Sequence, residues 1–265
     1  MKSFMIIGQY VPGHSYIHRL DPRTKLMIIF TFVFIVFFAN NLVSYGWLTL
    51  FAITACILTQ QRIGYIVKGI TPVWFLIVFT MILHLIVTKE GPVLWEIWNF
   101  RIHLGGIETG LMISWRFLLL VLVTSLLTLT TSPMEITDAL EALLSPLKRI
   151  RVPVHELALM MSISLRFIPT LLDETEKISK AQASRGVDFR TGSIKSRMYA
   201  VVPLLVPLFI SAFKRAEDLA MAMEARGYRG SDGRTKLRQL QFQSRDYVAA
   251  ISYLMILVIF FYLRQ

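Results

Sequence analysis

The chain has 265 residues, 55% of them hydrophobic, and a formal charge of +11. Its single cysteine, Cys56, excludes an internal disulfide and a cysteine-based metal cluster. A balance this basic suits either a nucleic-acid binder or a membrane protein with Lys- and Arg-rich cytoplasmic loops, so placement of the cations decides.

Crossing a hydrocarbon core about 30 Å thick takes about 20 mostly apolar residues. Five stretches approach that length, at residues 26–40 with their flanks, 42–58, 70–87, 107–131 and 247–263. The first twenty residues place Lys2, His14, His18 and Arg19 among Gly and Pro, without the pattern of a cleaved secretory signal, so the first span is expected to be retained. With the N-terminus inside, 24 of the 28 Lys and Arg lie on the cytoplasmic side. Lys89, Arg101 and Arg264 then lie outside, and Arg116 within a span. The expectation is a multi-pass plasma-membrane protein with a cytoplasmic N-terminus and an external C-terminus.

In chain order, Leu20, Asp21, Pro22, Arg23, Thr24 and Lys25 announce the first span: Asp21 caps, Pro22 takes the first helical position, and the cations sit at the interface. Asn40 and Asn41 turn the chain outside, and Gln60, Gln61, Arg62 and Gly64 turn it back inside. The external loop at residues 88–106 carries Trp95, Trp98 and Phe100, rings that favour the membrane interface.

Residues 132–245 form a long insert before the last span, giving three regions: 1–131, 132–245 and 246–265. Ser132, Pro133, Met134 and Glu135 open it as a capping box, and an amphipathic helix follows to about residue 147. Two longer helices are expected at about residues 153–185 and 196–226, each near 50 Å at 1.5 Å per residue. Their apolar runs, 157–172 and 199–213, are short for spans, and contain Arg166 and the pair Pro203 and Pro207. If both crossed, Lys177, Lys180, Arg185 and Arg190 would be stranded outside, so both are expected along or beneath the cytoplasmic face. Pro169, Pro203 and Pro207 are expected kinks. The fold class is therefore all-α: about five transmembrane helices plus a cytoplasmic coupling region of long amphipathic helices.

The ends of the two long helices match. Residues 176–186 read EKISKAQASRG and residues 217–227 read EDLAMAMEARG, with Glu, Ala, Arg and Gly at identical offsets. Each reads as a helix whose last turn presents an Arg before a terminating Gly. Ser179 and Ala183 on one helix, and Ala212, Ala216 and Ala220 on the other, form small faces suited to a close crossing. A single Arg near a helix C-terminus also answers the macrodipole. A matched pair points to docking, because the planar guanidinium fork pairs with a carboxylate in a way Lys cannot reproduce.

The chain contains no phosphate-binding loop, no H-E-x-x-H, no G-x-S-x-G and no Cys–His cluster. Arg116, about eight residues into a span, must face protein or water, with Glu108 as its expected neighbour; His84 is a second intramembrane polar residue. Arg166 is expected to pair with Glu156 or pack its stem. Met160, Met161, Met221 and Met223 supply soft apolar surface.

Five spans, the helical insert and the endings Ser184, Arg185, Gly186 and Ala225, Arg226, Gly227 together resemble the transmembrane T component of energy-coupling factor (ECF) transporters, the EcfT/CbiQ family, along nearly the whole chain. Residues 20–25 (LDPRTK) and 164–169 (SLRFIP) are similar to family signatures, while Ser184 stands where the family typically has Ala. The resemblance implies a non-catalytic scaffold that docks two ABC-type ATPases through those endings. It also implies a small membrane-embedded S component, which binds a vitamin or other micronutrient and is gripped through Leu157, Met160, Met161, Leu165, Leu204, Leu205, Leu208 and Phe209. ATP and Mg²⁺ would then belong to the ATPases, with no cofactor or metal in this chain and no nucleic-acid partner.

Three other readings compete. A stand-alone secondary transporter or channel would use Arg116, His84 and Glu108, but lacks a charged relay or an inverted repeat of broken helices. An intramembrane enzyme lacks a paired nucleophile and base. A membrane-anchored nucleic-acid binder sits poorly with twelve Asp and Glu in the insert.

Overall fold

The computed structural model describes residues 10–97, 100–187, 194–230 and 240–264. Lys2, Trp98 and Arg190 lie outside the described residues. Eight α-helices are present among them: α1 (Pro22–Phe37), α2 (Leu42–Thr59), α3 (Ile63–Val87), α4 (Leu104–Thr130), α5 (Pro133–Leu144), α6 (Val154–Ser184), α7 (Ile194–Ala225) and α8 (Ser244–Arg264). The chain is an all-α membrane protein with one small exception. The loop between α3 and α4 forms an antiparallel hairpin, β1 (Val93–Ile97) with β2 (Phe100–His103). Its β-branched and aromatic residues favour extended backbone, which a reading of the segment as a plain loop overlooks. The insert's first helix ends at Leu144 and passes into a 3₁₀ turn, Ser145–Ile150, that contains Pro146.

Among the described residues, six helices are long and apolar enough to cross a membrane: α2, α3, α4, α6, residues 199–225 of α7, and α8. At 16 residues, α1 falls just short of that length. The third apolar helix starts at Ile63, a turn or two before the expected residue 70, because Ile63, Tyr65, Ile66 and Val67 extend its apolar pattern. By contacts the chain divides into two compact units, residues 1–139 with 240–265, and residues 140–239.

In the first unit, Phe32, Ile35 and Val36 of α1, Leu48 and Ala52 of α2, Leu119 and Val123 of α4, and Tyr253 and Phe260 of α8 form the core. Beyond it lie broad exposed apolar faces, including Phe30, Phe75 and Leu254, the surface that lipid covers in a membrane. A polar knot ties three helix ends together. Asp21 caps α1 by accepting from the Arg23 amide (2.9 Å), and its own amide donates to Asp246 Oδ1 of α8 at 2.7 Å. The Arg23 guanidinium pairs with Asp21 at 2.8 Å and lies 3.9 Å over the Phe242 ring. Lys25, expected at the interface, is buried. Its ammonium donates to the carbonyl of Thr130 at the end of α4, to the carbonyl of His18 in the turn before α1, and to the Thr131 hydroxyl.

Candidate partner-docking helices

The second unit is built on α6 and α7. The insert opens as expected at α5: the Glu135 amide donates to Ser132 Oγ (3.3 Å) and the Ser132 amide to Glu135 Oε2 (3.2 Å), a reciprocal capping box. His155, buried near the start of α6, contacts Glu141 of α5 at 3.0 Å through Nδ1.

Both long helices end in the same device. At α6, the Gly186 amide donates to Ala183 O and the Val187 amide to Gln182 O, with Gly186 at φ +86°. At α7, the Gly227 amide donates to Glu224 O and the Tyr228 amide to Met223 O, with Gly227 at φ +71°. These are two Schellman motifs, each using a glycine for the left-handed residue that closes the helix. Arg185 and Arg226 hold the cap position just before each glycine. Both are exposed, as are Ser184 and Ala225, and neither Arg takes an ion-pair partner among the described residues. A cap residue of this kind leaves its guanidinium free for a carboxylate supplied from elsewhere.

Along the shafts, Leu157, Met160, Met161, Leu205 and Phe209 are exposed, whereas Leu165, Leu204 and Leu208 are half-buried. The face α7 partly buries runs through Leu204, Leu208, Ser211, Ala212, Arg215 and Leu219. On α6 the corresponding row is Phe167, Leu171, Glu174, Ile178, Ser179 and Gln182. The expected small faces are thus offset: Ser179 and Ala212 are half-buried, but Ala183, Ala216 and Ala220 are exposed. The reason is a pair of polar ties that the sequence reading missed. Arg215 Nη2 donates to Glu174 Oε2 at 2.6 Å, and Gln182 Nε2 donates to Pro203 O at 3.4 Å. Pro169, Pro203 and Pro207 all sit inside continuous helices.

A model of the cobalt transport protein family, CbiQ, matches residues 13–237. The chain belongs to the CbiQ family. It is 56% identical over 264 residues to the energy-coupling factor transporter transmembrane protein EcfT of Bacillus subtilis, covering all of both chains. It is 54% identical to the protein of the same name from Exiguobacterium sibiricum, over 91% of this chain and 92% of that one. The Brevibacillus brevis protein of that name is 52% identical, over 98% of each. This CbiQ-family chain is therefore a multi-pass transmembrane component of the energy-coupling factor type.

The other polar residues weighed in the sequence turn out differently. Arg116 does not meet Glu108. Its guanidinium donates to the Tyr45 hydroxyl at 2.9 and 3.2 Å and to Ala39 O at 3.4 Å, and lies 5.5 Å over Phe37. The Tyr45 hydroxyl and an aromatic face satisfy the cation, so a carboxylate is not needed. His84 contacts Thr88 Oγ1 through Nδ1 at 3.2 Å, one turn on. Arg166 is exposed and makes no ion pair with Glu156 among the described residues. Glu174 and Arg215 carried one signal in the sequence: each stands eleven positions before a tip arginine.

Proposed function

We propose that this chain is the energy-coupling scaffold of an ATP-driven micronutrient importer. Two ABC-type ATPases dock on the ends of α6 and α7 through Ser184, Arg185, Gly186 and Ala225, Arg226, Gly227. A membrane-embedded S component, which binds a vitamin or other micronutrient, rests on the exposed apolar shafts at Leu157, Met160, Met161, Leu205 and Phe209, with Leu165, Leu204 and Leu208 beside them. Closure of the ATPase pair moves the two helices and tips the S component so that it releases its cargo inside. The chain performs no catalytic step of its own; ATP and Mg²⁺ belong to the ATPases.

The observation that carries this reading is the pair of identical Schellman ends with exposed cap arginines, on the two longest helices of a transporter component. The named function of the B. subtilis and other relatives as energy-coupling factor components supports it. In this topology the N-terminus is cytoplasmic and the C-terminus external in the plasma membrane, with residues 132–245 inside, because that places 24 of the 28 Lys and Arg on the cytoplasmic side. Helices α6 and α7 then lie along the membrane face although their length would permit a crossing.

The test is co-purification from membranes. Tagged wild type brings down two ABC-type ATPases, and the Arg185→Ala/Arg226→Ala double variant inserts normally but loses them or uncouples their hydrolysis from uptake. A wild type that arrives without any ATPase, yet transports substrate alone in liposomes, sinks the scaffold reading and revives the self-sufficient transporter.

A further inference from the structure

We propose that the Glu174–Arg215 ion pair is the pivot that sets the register of α6 against α7, and with it the spread of the two tip arginines. This deepens the coupling role above and rests on it. The pair joins equivalent positions of the repeated segment: Glu174 stands eleven residues before Arg185, and Arg215 eleven before Arg226. Eleven residues of helix rise about 16 Å, so both arms from pivot to tip have the same length.

The second tie fixes their sense. Gln182 lies eight residues after Glu174, and its partner Pro203 lies twelve before Arg215, so the helices run antiparallel and the arms leave the pivot in opposite directions. The Pro203 carbonyl is open to Gln182 for a local reason. Its usual helical donor would be residue 207, and Pro207 has no N–H.

Between these ties the facing rows are apolar or small, including Ile178, Ser179, Leu208, Ser211 and Ala212. Such surfaces hold helices together without choosing a register, whereas a one-turn slip of about 5.4 Å parts the Glu174–Arg215 pair. The side chains of Arg215 and Glu174 remain 36% and 22% exposed. A pair this wet contributes up to about 1 kcal/mol, which biases one register over its neighbour by about fivefold. That strength suits a joint that moves in every transport cycle: it selects a resting register without locking it.

The test places spin labels at the equivalent exposed positions Ala181 and Ala222 of the full chain, as A181C and A222C with C56S, and reads the distance distribution in lipid nanodiscs. Glu174→Gln and Arg215→Gln each broaden or shift the distribution, and the swap Glu174→Arg/Arg215→Glu restores it. In the assembled transporter, uptake per ATP hydrolysed falls severalfold in each single variant while the ATPases stay bound, and recovers in the swap. Unchanged distances in both single variants, or a swap that fails to restore them, overturns the pivot. Absence of ATPases from the wild type overturns the coupling reading separately, and the label distances still decide the pivot on the chain alone.

Discussion

Lys25 Nζ donates to the carbonyl of Thr130, the last residue of α4, at 3.1 Å, from a residue that is only 4% exposed. A helix end leaves its final carbonyls without intrahelical donors, and here an ammonium from α1 supplies the missing proton. Lys25→Ala strands the Thr130 and His18 carbonyls and removes the positive charge near Asp21, Asp246 and Glu135. The expected loss is about 2 kcal/mol of stability. Lys25→Met keeps the stem and loses less. Thermal unfolding of the detergent-solubilised protein, followed by its monodisperse fraction, checks this; equal midpoints for wild type and Lys25→Ala would show that the ammonium does not hold the α4 end.

The same region predicts a pH dependence. Burial lowers the His18 imidazole below its ordinary value of 6.5; the Val11 carbonyl opposes the shift and the Lys25 charge reinforces it. A depressed folded value means that stability is complete above 6.5 and declines as pH falls toward the folded value, because the unfolded chain takes up the proton first. Asp21 acts lower on the scale. Burial pushes its carboxyl up, but the Arg23 hydrogen bonds outweigh that and hold it below 3.8, so its contribution is lost only as pH falls through the folded value. Between about pH 8 and pH 5 the thermal midpoint therefore falls, and His18→Gln flattens the slope. An identical slope in that variant would assign the decline to other groups.

Membrane class, the order of apolar helices and the paired Arg-Gly ends were legible in the sequence because each rests on a local pattern: run length, a capping residue, a glycine after the last turn. Gly186 and Gly227 do what their spacing announced. The polar contacts between helices were not legible. Lys25 looks like an interfacial cation until Thr130, 105 positions away, is brought beside it. Arg116 looks like a partner for Glu108 until α2 presents the Tyr45 hydroxyl. Glu174 and Arg215 left only a shared offset, which is invisible unless the repeat is extended one turn earlier. Small-residue spacing placed the α6–α7 contact about a row away, because the ion pair and Gln182 turn both helices toward their polar positions.

Gly186 and Gly227 carry a prediction of their own. An added Cβ at either would meet nothing within 4 Å, so any cost comes from the backbone angle alone. A non-glycine residue in the left-handed region costs about 1–2 kcal/mol, and Asn pays less than Ala. Gly186→Ala and Gly227→Ala should each fray the final turn, speeding amide exchange at residues 183–187 or 224–228 by about 5- to 30-fold. The Asn variants should lie between Ala and wild type. Wild-type exchange in the Ala variants would mean that the helix ends close by some other geometry.

Gly106 and Gly110 stand four apart on α4 and face α3, the small-xxx-small spacing that lets two membrane helices touch backbone to backbone. They are not equally demanding. A Cβ on Gly106 would lie 2.9 Å from the His84 carbonyl oxygen and 3.2 Å from that of Thr88, both main-chain atoms that cannot rotate away. A Cβ on Gly110 would meet the Met81 sulfur at 3.0 Å, the far part of a side chain with several rotatable bonds. Gly106→Ala is therefore expected to cost about 1–3 kcal/mol, and Gly110→Ala clearly less, in the same thermal assay. Because the clash at 106 falls on the turn that holds His84 against Thr88, Gly106→Ala also disturbs that contact. If His84→Ala leaves uptake intact while Gly106→Ala abolishes it, packing of α3 on α4 is what the imidazole's neighbourhood serves. The reverse order would give the ring a role in transport.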